Sequence, residues 1–321
     1  MTDTRPSLYL SRLLPEPVMV IMRERFRLVQ EPLDALPARS TLREGLCRSD
    51  AAIVTLGDHI DAETIHAATR LKILANYAVG YNNIDLMAAR QRGLIVTNTP
   101  DVLTDATADL TWALLLATAR RIVEGDTLVR SGRWTGWSPT QLMGAEISGK
   151  TLGIIGMGRI GQAVAQRGMG FRMLVRYHTS QPMIASSLPG EWEYRTLQDL
   201  LMEADAVTIH VPLTPATHHL IGARELTWMK PTAFMINTAR GPIIDEGALI
   251  EALKKGIIAG AGLDVYEQEP AIHTALVQLK QVVLLPHLGS ATLHARVQMG
   301  LVCVNNIHAV LEGRPAPNQI P

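Results

Sequence analysis

Short runs of β-branched and other apolar residues alternate with longer stretches of helical periodicity along the whole chain. The apolar runs predict strands at Ala52–Leu56, Lys72–Asn76, Leu94–Asn98, Thr151–Ile155, Met173–Tyr177, Ala206–His210, Ala233–Asn237, Gly260–Asp264 and Val282–Leu285. The helical periodicity predicts helices at Thr104–Arg121, Arg159–Gly168, Glu246–Lys255 and Leu293–Leu311. Because alternating strands and helices build parallel sheets covered by helices on both faces, the predicted fold class is α/β.

One irregular stretch interrupts this alternation. Ser131–Gly149 is the longest segment without periodicity, and it comes just before a predicted strand and a glycine-rich turn. A new folding unit is therefore expected to begin at about residue 100, with the helix Thr104–Arg121 leading into it. Asp245 directly precedes the helix Glu246–Lys255 and is expected to cap its N-terminus.

Composition narrows the class of protein. The chain has 321 residues, which suggests two domains at roughly 150 residues each. Hydrophobic residues make up 47% and charged residues 19%, so a folded core is expected rather than disorder. Thirty Lys and Arg residues balance thirty Asp and Glu residues. Without a field of one sign, nucleic acid is not an expected partner, and an anionic ligand must be bound by a local site.

The cysteines and the first residues indicate the compartment. Cys47 and Cys303 lie in no CxxC or Cys/His cluster, so neither a disulfide framework nor a metal site is expected. Residues 1–17 are polar and interrupted by prolines, unlike a signal peptide. No uncharged apolar run approaches the roughly 20 residues that a membrane span needs. A cytoplasmic protein without a membrane partner is therefore expected.

A glycine-rich turn follows the strand Thr151–Ile155. The sequence TLGIIGMGRIG places three glycines in a GxGxxG pattern between an apolar strand and an apolar helix. In dinucleotide-binding folds these glycines permit a tight turn, close approach of a pyrophosphate and close helix packing, and the helix N-terminus faces the phosphates. The alternative is a turn selected for packing alone. The residues expected to contact the cofactor here are Gly156, Met157, Gly158, Arg159, Ile160 and Gly161.

The segment after the next strand bears on the choice of cofactor. No Asp or Glu occurs between Gln162 and Gly190, although an acid that binds the ribose 2′-hydroxyl of NAD is expected there. Thr179 and Ser180 follow the strand instead, with Arg172 and Arg176 nearby. Hydroxyls and cations accept a 2′-phosphate, which an acid would repel. The prediction is that NADPH is used and preferred, with NADH possible; alternatively, both hydroxyls are ordinary loop residues and either cofactor fits.

Three polar residues suited to one reaction each follow a predicted strand. They are Arg240 in NTARG, Glu269 in DVYEQEP and His287 in PHLG. Carboxyl ends of neighbouring parallel strands open onto one crevice, so these side chains can converge. An arginine can hold a carboxylate bidentately, and a histidine oriented by an acid can give a proton to a carbonyl oxygen as hydride reaches the carbon. Taken singly, they could be a surface ion pair, a solvated acid and a core histidine.

Six segments together resemble the D-isomer-specific 2-hydroxyacid dehydrogenases, and among them the glyoxylate/hydroxypyruvate reductase branch. These segments are Asn76–Asp85, Gly149–Ala165, His210–Gly222, Met235–Leu249, Ala259–Pro270 and Leu284–Thr292. The resemblance implies two doubly wound parallel-sheet domains with a cleft between them. It implies a flavodoxin-like substrate domain at residues 1–98, an inserted Rossmann nucleotide-binding domain at 99–287, and a return helix and tail at 288–321 that complete the substrate domain.

The resemblance also implies roles for individual residues. Arg240 corresponds to the carboxylate anchor, His287 to the acid/base and Glu269 to its partner. Substrate contacts are implied for Leu56, Val79, Gly80, Trp137 and Arg240. Further cofactor contacts are implied for Thr107, Thr179, Ser180, Val211, Pro212, Thr238, Ala239, Asp264, His287 and Gly289. Arg296 on the last helix either approaches the substrate pocket or forms a structural salt bridge.

Two tryptophans in RWTGWSP bear on assembly. In the branch that the chain resembles, the second tryptophan reaches the pocket of the partner subunit, which makes Trp137 a specificity residue and the protein a homodimer. The alternative is that Trp134 and Trp137 both anchor the long loop against their own domain.

The expected function is an NAD(P)H-dependent reduction of small 2-oxo acids to D-2-hydroxy acids, with glyoxylate and hydroxypyruvate as substrates. Val79 replaces the lysine of phosphite dehydrogenases and Glu269 the amide partner of formate dehydrogenases, which disfavours both activities. The alternatives are a 2-ketogluconate reductase, a short-form phosphoglycerate dehydrogenase and, from another class, a non-catalytic NAD(H)-sensing corepressor that keeps the same three residues.

Overall fold

The computed structural model describes residues 3–181, 183 and 190–321. In chain order its strands are β1 (Ser7–Leu10), β2 (Arg27–Leu28), β3 (Ala51–Val54), β4 (Ile73–Asn76), β5 (Ile95–Thr97), β6 (Thr151–Ile155), β7 (Leu174–His178), β8 (Trp192–Tyr194), β9 (Ala206–Ile209), β10 (Phe234–Asn237), β11 (Gly260–Leu263) and β12 (Val282–Leu284). Its α-helices are α1 (Glu16–Arg25), α2 (Arg39–Cys47), α3 (Ala62–Ala67), α4 (Leu86–Arg92), α5 (Thr104–Ala119), α6 (Ile122–Arg130), α7 (Arg159–Gly170), α8 (Leu197–Glu203), α9 (Ala223–Leu226), α10 (Glu246–Lys254), α11 (Thr274–Gln278) and α12 (Leu293–Leu311).

The chain divides into two compact units. The first comprises the residues up to Leu103 together with Ser290–Pro321, and the second comprises Thr104–Gly289. Each unit contains a parallel sheet with helices packed on both of its faces. The predicted α/β class with two doubly wound parallel sheets is confirmed.

The sheet of the first unit has the strand order β2-β1-β3-β4-β5. This is the flavodoxin-like order, in which the direction of winding changes between β1 and β3. All residues of β1, β3 and β4 are buried, as expected for strands covered on both faces. Helix α12 contacts β4 and α1, so the C-terminal segment contributes to this core. The loops after β3 and β4 lie beside each other at the carboxyl edge of the sheet.

The sheet of the second unit has the order β12-β11-β10-β9-β6-β7-β8. The direction of winding changes between β6 and β9, as in the Rossmann fold. Successive strand residues enter two different cores: Ile154 packs with α5 and α7, whereas Ile155 packs on the opposite face with α8 and α10. Met235 and Ile236 alternate in the same way. The continuous apolar strands of the sequence are thus explained by burial on both faces.

Some elements differ from those that the hydrophobic pattern predicts. Strand β1 was not predicted, because its four residues lie in a proline-interrupted segment, and the short β2 and β8 carry no clear alternation. The helix predicted to reach Arg121 ends at Ala119, since Arg121 adopts a left-handed φ of 54° and a separate helix, α6, begins after it. Asp245 caps α10 as predicted, by accepting a hydrogen bond from the N–H of Ala248. Within the described residues, no helix has the length and apolar character needed to cross a membrane.

Candidate active site

The glycine turn between β6 and α7 has the geometry of a ligand cradle. Gly156 has a φ of +99°, and a Cβ added to it would lie 2.7 Å from the carbonyl carbon of His210. A Cβ on Gly161 would lie 2.1 Å from the oxygen of Gly156. Around Gly158, in contrast, no described residue comes within 4 Å of such an atom. Packing therefore requires the first and third glycines, and the second borders open space.

The N-terminus of α7 faces this open space. Gly158 is the N-cap residue and supplies no side chain that caps the helix, and the first turn contains no acidic residue. Unsatisfied N–H groups and the positive end of the helix dipole therefore remain for an anion. This donor set fits the pyrophosphate of a dinucleotide.

The two arginines near β7 do not lie where the sequence predicts a 2′-phosphate site. Arg176 is committed to ion pairs with Glu193 and Glu203, both at 3.1 Å. Arg172 precedes β7 and therefore lies at the amino end of the strand, away from the cofactor edge. Neither cation is placed to bind the phosphate as expected. Thr179, half-buried, and Ser180, exposed, do follow the carboxyl end of β7.

His287 and Glu269 form a hydrogen-bonded pair. The Nδ1 of His287 lies 2.8 Å from Oε2 of Glu269, and the N–H of Tyr266 donates to Oε1 of the same carboxylate at 3.1 Å. Burial alone would raise the pKa of Glu269, but the hydrogen bond and charge of His287, the Tyr266 N–H and the charge of Arg240 outweigh it and lower this pKa. The ionised carboxylate accepts, so Nδ1 carries a proton and Nε2 remains for a ligand.

Asp264 fixes the backbone of His287 and of the two residues after it through hydrogen bonds. His287 adopts a left-handed φ of 56°, and its N–H donates to the Asp264 carbonyl at 2.9 Å. The two carboxylate oxygens of Asp264 accept the N–H groups of Leu288 at 2.6 Å and Gly289 at 2.8 Å. Burial raises the pKa of Asp264. On α5, Thr107 donates to the Gly289 carbonyl at 3.0 Å. These bonds offset the strain of a non-glycine residue at positive φ.

Arg240 lies on the loop after β10, next to the loop that carries Glu269. A Cβ on Gly241 would lie 1.9 Å from the carbonyl carbon of Tyr266, so the two loops touch through their backbones. Nη1 of Arg240 donates to the Ala239 carbonyl at 2.6 Å, and no other acceptor among the described residues binds its guanidinium. Burial lowers the pKa of Arg240 and Glu269 opposes this, but an arginine stays charged. Its remaining N–H groups can bind a carboxylate.

The other residues predicted to bind the cofactor lie at the same edge of the second sheet. Val211 and Pro212 follow β9, and Thr238 and Ala239 follow β10. Thr238 shares a 2.8 Å hydrogen bond with Thr111, which the sequence reasoning missed. Thr111 lies four residues after Thr107 on α5, a spacing that places both on one helix face.

The residues predicted to bind substrate fall into two groups. In the first unit, Leu56 follows β3 and the pair Val79 and Gly80 follows β4, the neighbouring strand. Trp137, in the second unit, is 82% exposed, so the alternative that it anchors its loop against its own domain does not hold. Arg296 donates to the Ser290 carbonyl at 3.2 Å and forms no ion pair with the described residues.

A Rossmann sheet with a glycine cradle and an Arg, Glu and His set at one edge defines a nicotinamide-dependent dehydrogenase. A model of the D-isomer specific 2-hydroxyacid dehydrogenase NAD-binding domain matches residues 112–289. A glyoxylate reductase from Thermococcus gammatolerans is 47% identical, with 98% of this chain and 96% of that protein covered. One from Pyrococcus horikoshii is 45% identical, with 98% and 96% covered.

A solved structure agrees with these relatives. An NADPH-dependent glyoxylate/hydroxypyruvate reductase from Sinorhizobium meliloti, in complex with NADP and malonate, is 32% identical and superposes with a TM-score of 0.87, covering 99% of this chain and 97% of that one. The chain belongs to the D-isomer specific 2-hydroxyacid dehydrogenase family.

Replacing Gly158 with alanine separates cofactor binding from folding. The new methyl group meets no described residue but projects into the space beside the N-terminus of α7. We expect an unchanged melting temperature and an NADPH dissociation constant raised about tenfold or more, because the pyrophosphate can no longer approach the backbone. Fluorescence titration measures the affinity. Gly170→Ala, at the other end of the same helix and equally free of contacts, is the matched control; equal affinities of the two variants would contradict the cradle.

Proposed function

We propose that this protein reduces glyoxylate and hydroxypyruvate to glycolate and D-glycerate with NADPH. The observation that carries the proposal is the 2.8 Å hydrogen bond between His287 and Glu269. Beside it lies the loop of Arg240, whose guanidinium bonds only to the Ala239 carbonyl among the described residues. Those groups suit a carbonyl compound that bears a carboxylate. The names of the Thermococcus and Sinorhizobium relatives support the same substrates.

The proposed mechanism assigns one task to each side chain. Arg240 binds the substrate carboxylate with two charged hydrogen bonds and so orients the 2-oxo group. The nicotinamide, when bound, supplies the hydride that reaches the carbonyl carbon. His287 gives the proton on Nε2 to the carbonyl oxygen, which completes the C–H and O–H bonds of the hydroxy acid. Glu269 keeps the imidazole oriented by accepting the hydrogen bond of Nδ1.

The remaining site residues receive roles under the same proposal. Residues 1–98 and 288–321 form the substrate domain, where Leu56, Val79 and Gly80 contact the oxo acid. Residues 99–287 form the nucleotide domain, where the glycine turn binds the pyrophosphate. Contacts to the rest of the cofactor are proposed for Thr107, Val211, Pro212, Thr238, Ala239, Asp264 and Gly289.

Removing the guanidinium tests the substrate class. We expect Arg240→Ala to lower kcat/KM for glyoxylate and hydroxypyruvate by about a hundredfold or more while leaving NADPH affinity intact, because two charged hydrogen bonds are lost. Arg224→Ala, which removes an exposed arginine that stacks on Trp228 in the same unit, is the control. Wild-type protein that binds NADPH but reduces no 2-oxo acid would instead favour a cofactor-sensing corepressor. A panel that includes 2-ketogluconate and 3-phosphohydroxypyruvate decides between the reductase alternatives.

Preference for NADPH is proposed from the carboxyl end of β7. The support is the lack of an acid there and the presence of Thr179 and Ser180, since the two arginines do not contribute. We expect kcat/KM with NADPH to exceed that with NADH by about tenfold, because the hydroxyls of Thr179 and Ser180 can donate to the 2′-phosphate and no carboxylate repels it. The two cofactors are compared at saturating glyoxylate. A preference of the same size for NADH would contradict the proposal.

A homodimer is proposed from the surface of α6 and the loop that follows it. No residue of α6 is buried. Its apolar side chains Ile122, Val123 and Val129 are each more than half exposed. Trp134 and Trp137 continue this apolar surface along the chain. Several large apolar side chains exposed along one segment are typical of an interface. A second copy of the chain is its proposed occupant, with Trp137 at the partner's substrate pocket.

Trp137→Ala tests that placement. We expect light scattering to give a mass of twice 35.1 kDa for the wild type, and the variant to favour larger oxo acids relative to glyoxylate. The removed indole would otherwise limit pocket volume, and a change of this kind shifts kcat/KM ratios by about tenfold. Trp134→Ala controls for loss of apolar area alone. Unchanged ratios across pyruvate, glyoxylate and hydroxypyruvate would show that Trp137 sets no size limit.

A cytoplasmic location is proposed from the thiols. Cys303 is buried, Cys47 is half-buried, and both are free cysteines. Free thiols are typical of proteins kept in a reducing compartment.

A further inference from the structure

Three consecutive peptide groups after β4 have their carbonyls held in place. The carbonyl of Ala78 accepts the backbone N–H of Thr99 at 2.8 Å. The carbonyl of Val79 accepts Nδ2 of Asn98 at 2.8 Å. The carbonyl of Gly80 accepts Nδ2 of Asn76, also at 2.8 Å. Two of these three donors are therefore asparagine side chains, one at the end of β4 and one just after β5.

Fixing a carbonyl also fixes the N–H of the same peptide group. In a trans peptide the two point in opposite directions, so the N–H groups of Val79, Gly80 and Tyr81 point away from the groups that hold their carbonyls. None of these three N–H groups has an acceptor among the residues described in the structure. Val79 and Gly80 are only half-buried, so the donors remain accessible to a small ligand.

The asparagines are themselves rigidly placed. Asn76 is completely buried, and its side-chain amide exchanges hydrogen bonds of 3.3–3.4 Å with that of Asn83. Asn83 also donates to the carbonyls of Thr55 and Asp58 at 3.1 Å. One amide network therefore connects the turn that carries Leu56 with the loop that carries Gly80. Such a network determines orientation as well as stability.

We propose that Asn76 and Asn98 are positioning residues that orient the N–H groups of Gly80 and Tyr81 toward the carboxylate of a 2-oxo acid. This inference rests on the proposed reductase function and adds to it, because it names the side chains that build the neutral part of the carboxylate site. Because the carbonyls are held by the protein, the accessible N–H groups of the same peptides remain as donors, which is the arrangement of a backbone anion site. A carboxylate has enough acceptor sites to satisfy them all.

The test removes the amide donor without adding a charge. Asn98 is the better site because it is half-buried, whereas Asn76 is fully buried. For Asn98→Leu and Asn98→Ala we expect KM for glyoxylate to rise by about tenfold or more with kcat little changed, because the Val79–Gly80 peptide is free to rotate and a hydrogen bond to a charged group is lost. The dissociation constant of oxalate, an unreactive dicarboxylate probe, measured by calorimetry on the NADP-bound protein, should rise in parallel. NADPH affinity should not change.

Ser49→Ala is the matched control. Ser49 is a buried polar residue of the same unit whose hydroxyl donates to the Gly45 carbonyl at 2.7 Å, a hydrogen bond that involves neither asparagine. We expect it to lower the melting temperature while leaving oxalate affinity unchanged. Asn98 variants that lose stability in the same way, with oxalate affinity and KM unchanged, would reduce Asn98 to a structural role and overturn the inference.

The two proposals fail in different ways. Wild-type protein that binds oxalate but does not reduce glyoxylate refutes the reductase, and the inference then depends on whether Asn98→Leu weakens oxalate binding. If the wild type turns over glyoxylate and both Asn98 variants bind oxalate as tightly as the wild type does, the inference is refuted and the reductase function is not. Failure of oxalate to bind the wild type also overturns it, since no carboxylate site would then be present. Asn76→Ser, which shortens the second donor, provides an independent repeat.

Discussion

The hydrogen bond from Nδ1 of His287 to Glu269 is the interaction on which the proposed chemistry depends. At 2.8 Å from an ionised carboxylate, Nδ1 must carry the proton, so Nε2 is the only ring atom that can exchange one with a substrate. The geometry of His287 and Glu269 depends on three loops, those after β10, β11 and β12, which backbone contacts and hydrogen bonds fix in place. Asp264 binds the backbone on both sides of Leu288, Tyr266 directs Glu269 through its N–H, and Gly241 permits the Arg240 loop to touch Tyr266.

Each unit offers a different kind of donor to an anion. The chain has a formal net charge of zero, so no general field collects an anionic substrate. In the second unit the guanidinium of Arg240, which bonds only to the Ala239 carbonyl among the described residues, provides a full positive charge. In the first unit the donors are neutral N–H groups made available by fixing their carbonyls. Neutral donors need little desolvation, and their number gives directional selectivity for a planar carboxylate.

The sequence predicted the features that depend on local chemistry and missed those that depend on distant partners. Gly156 and Gly161 show the close contacts that the GxGxxG spacing implies, and Asp245 caps its helix. Arg176 was expected near the cofactor because it is close in sequence, but Glu193 and Glu203 bind it, and only the fold brings these acids beside it. Asn98 gave no signal, since a polar residue after a strand is common and its role depends on a carbonyl 19 residues earlier.

Arg172 and Arg176 are not placed to bind a 2′-phosphate, and this changes the physical basis of the proposed cofactor preference. Under the proposed preference, hydroxyl and backbone donors would bind the 2′-phosphate, and each contributes less than a hydrogen bond from a cationic donor. For NAD, in turn, this segment of the protein has no carboxylate that would accept hydrogen bonds from the ribose hydroxyls. Among the described residues, neither cofactor would then have a charged partner at the end of β7, and the proposed preference arises from hydroxyl donors to the phosphate and from the absence of repulsion toward it. Selectivity of this origin is moderate and depends little on salt, because there is no charge–charge attraction to screen, whereas selectivity from solvent-exposed cations would fall as the salt concentration rises.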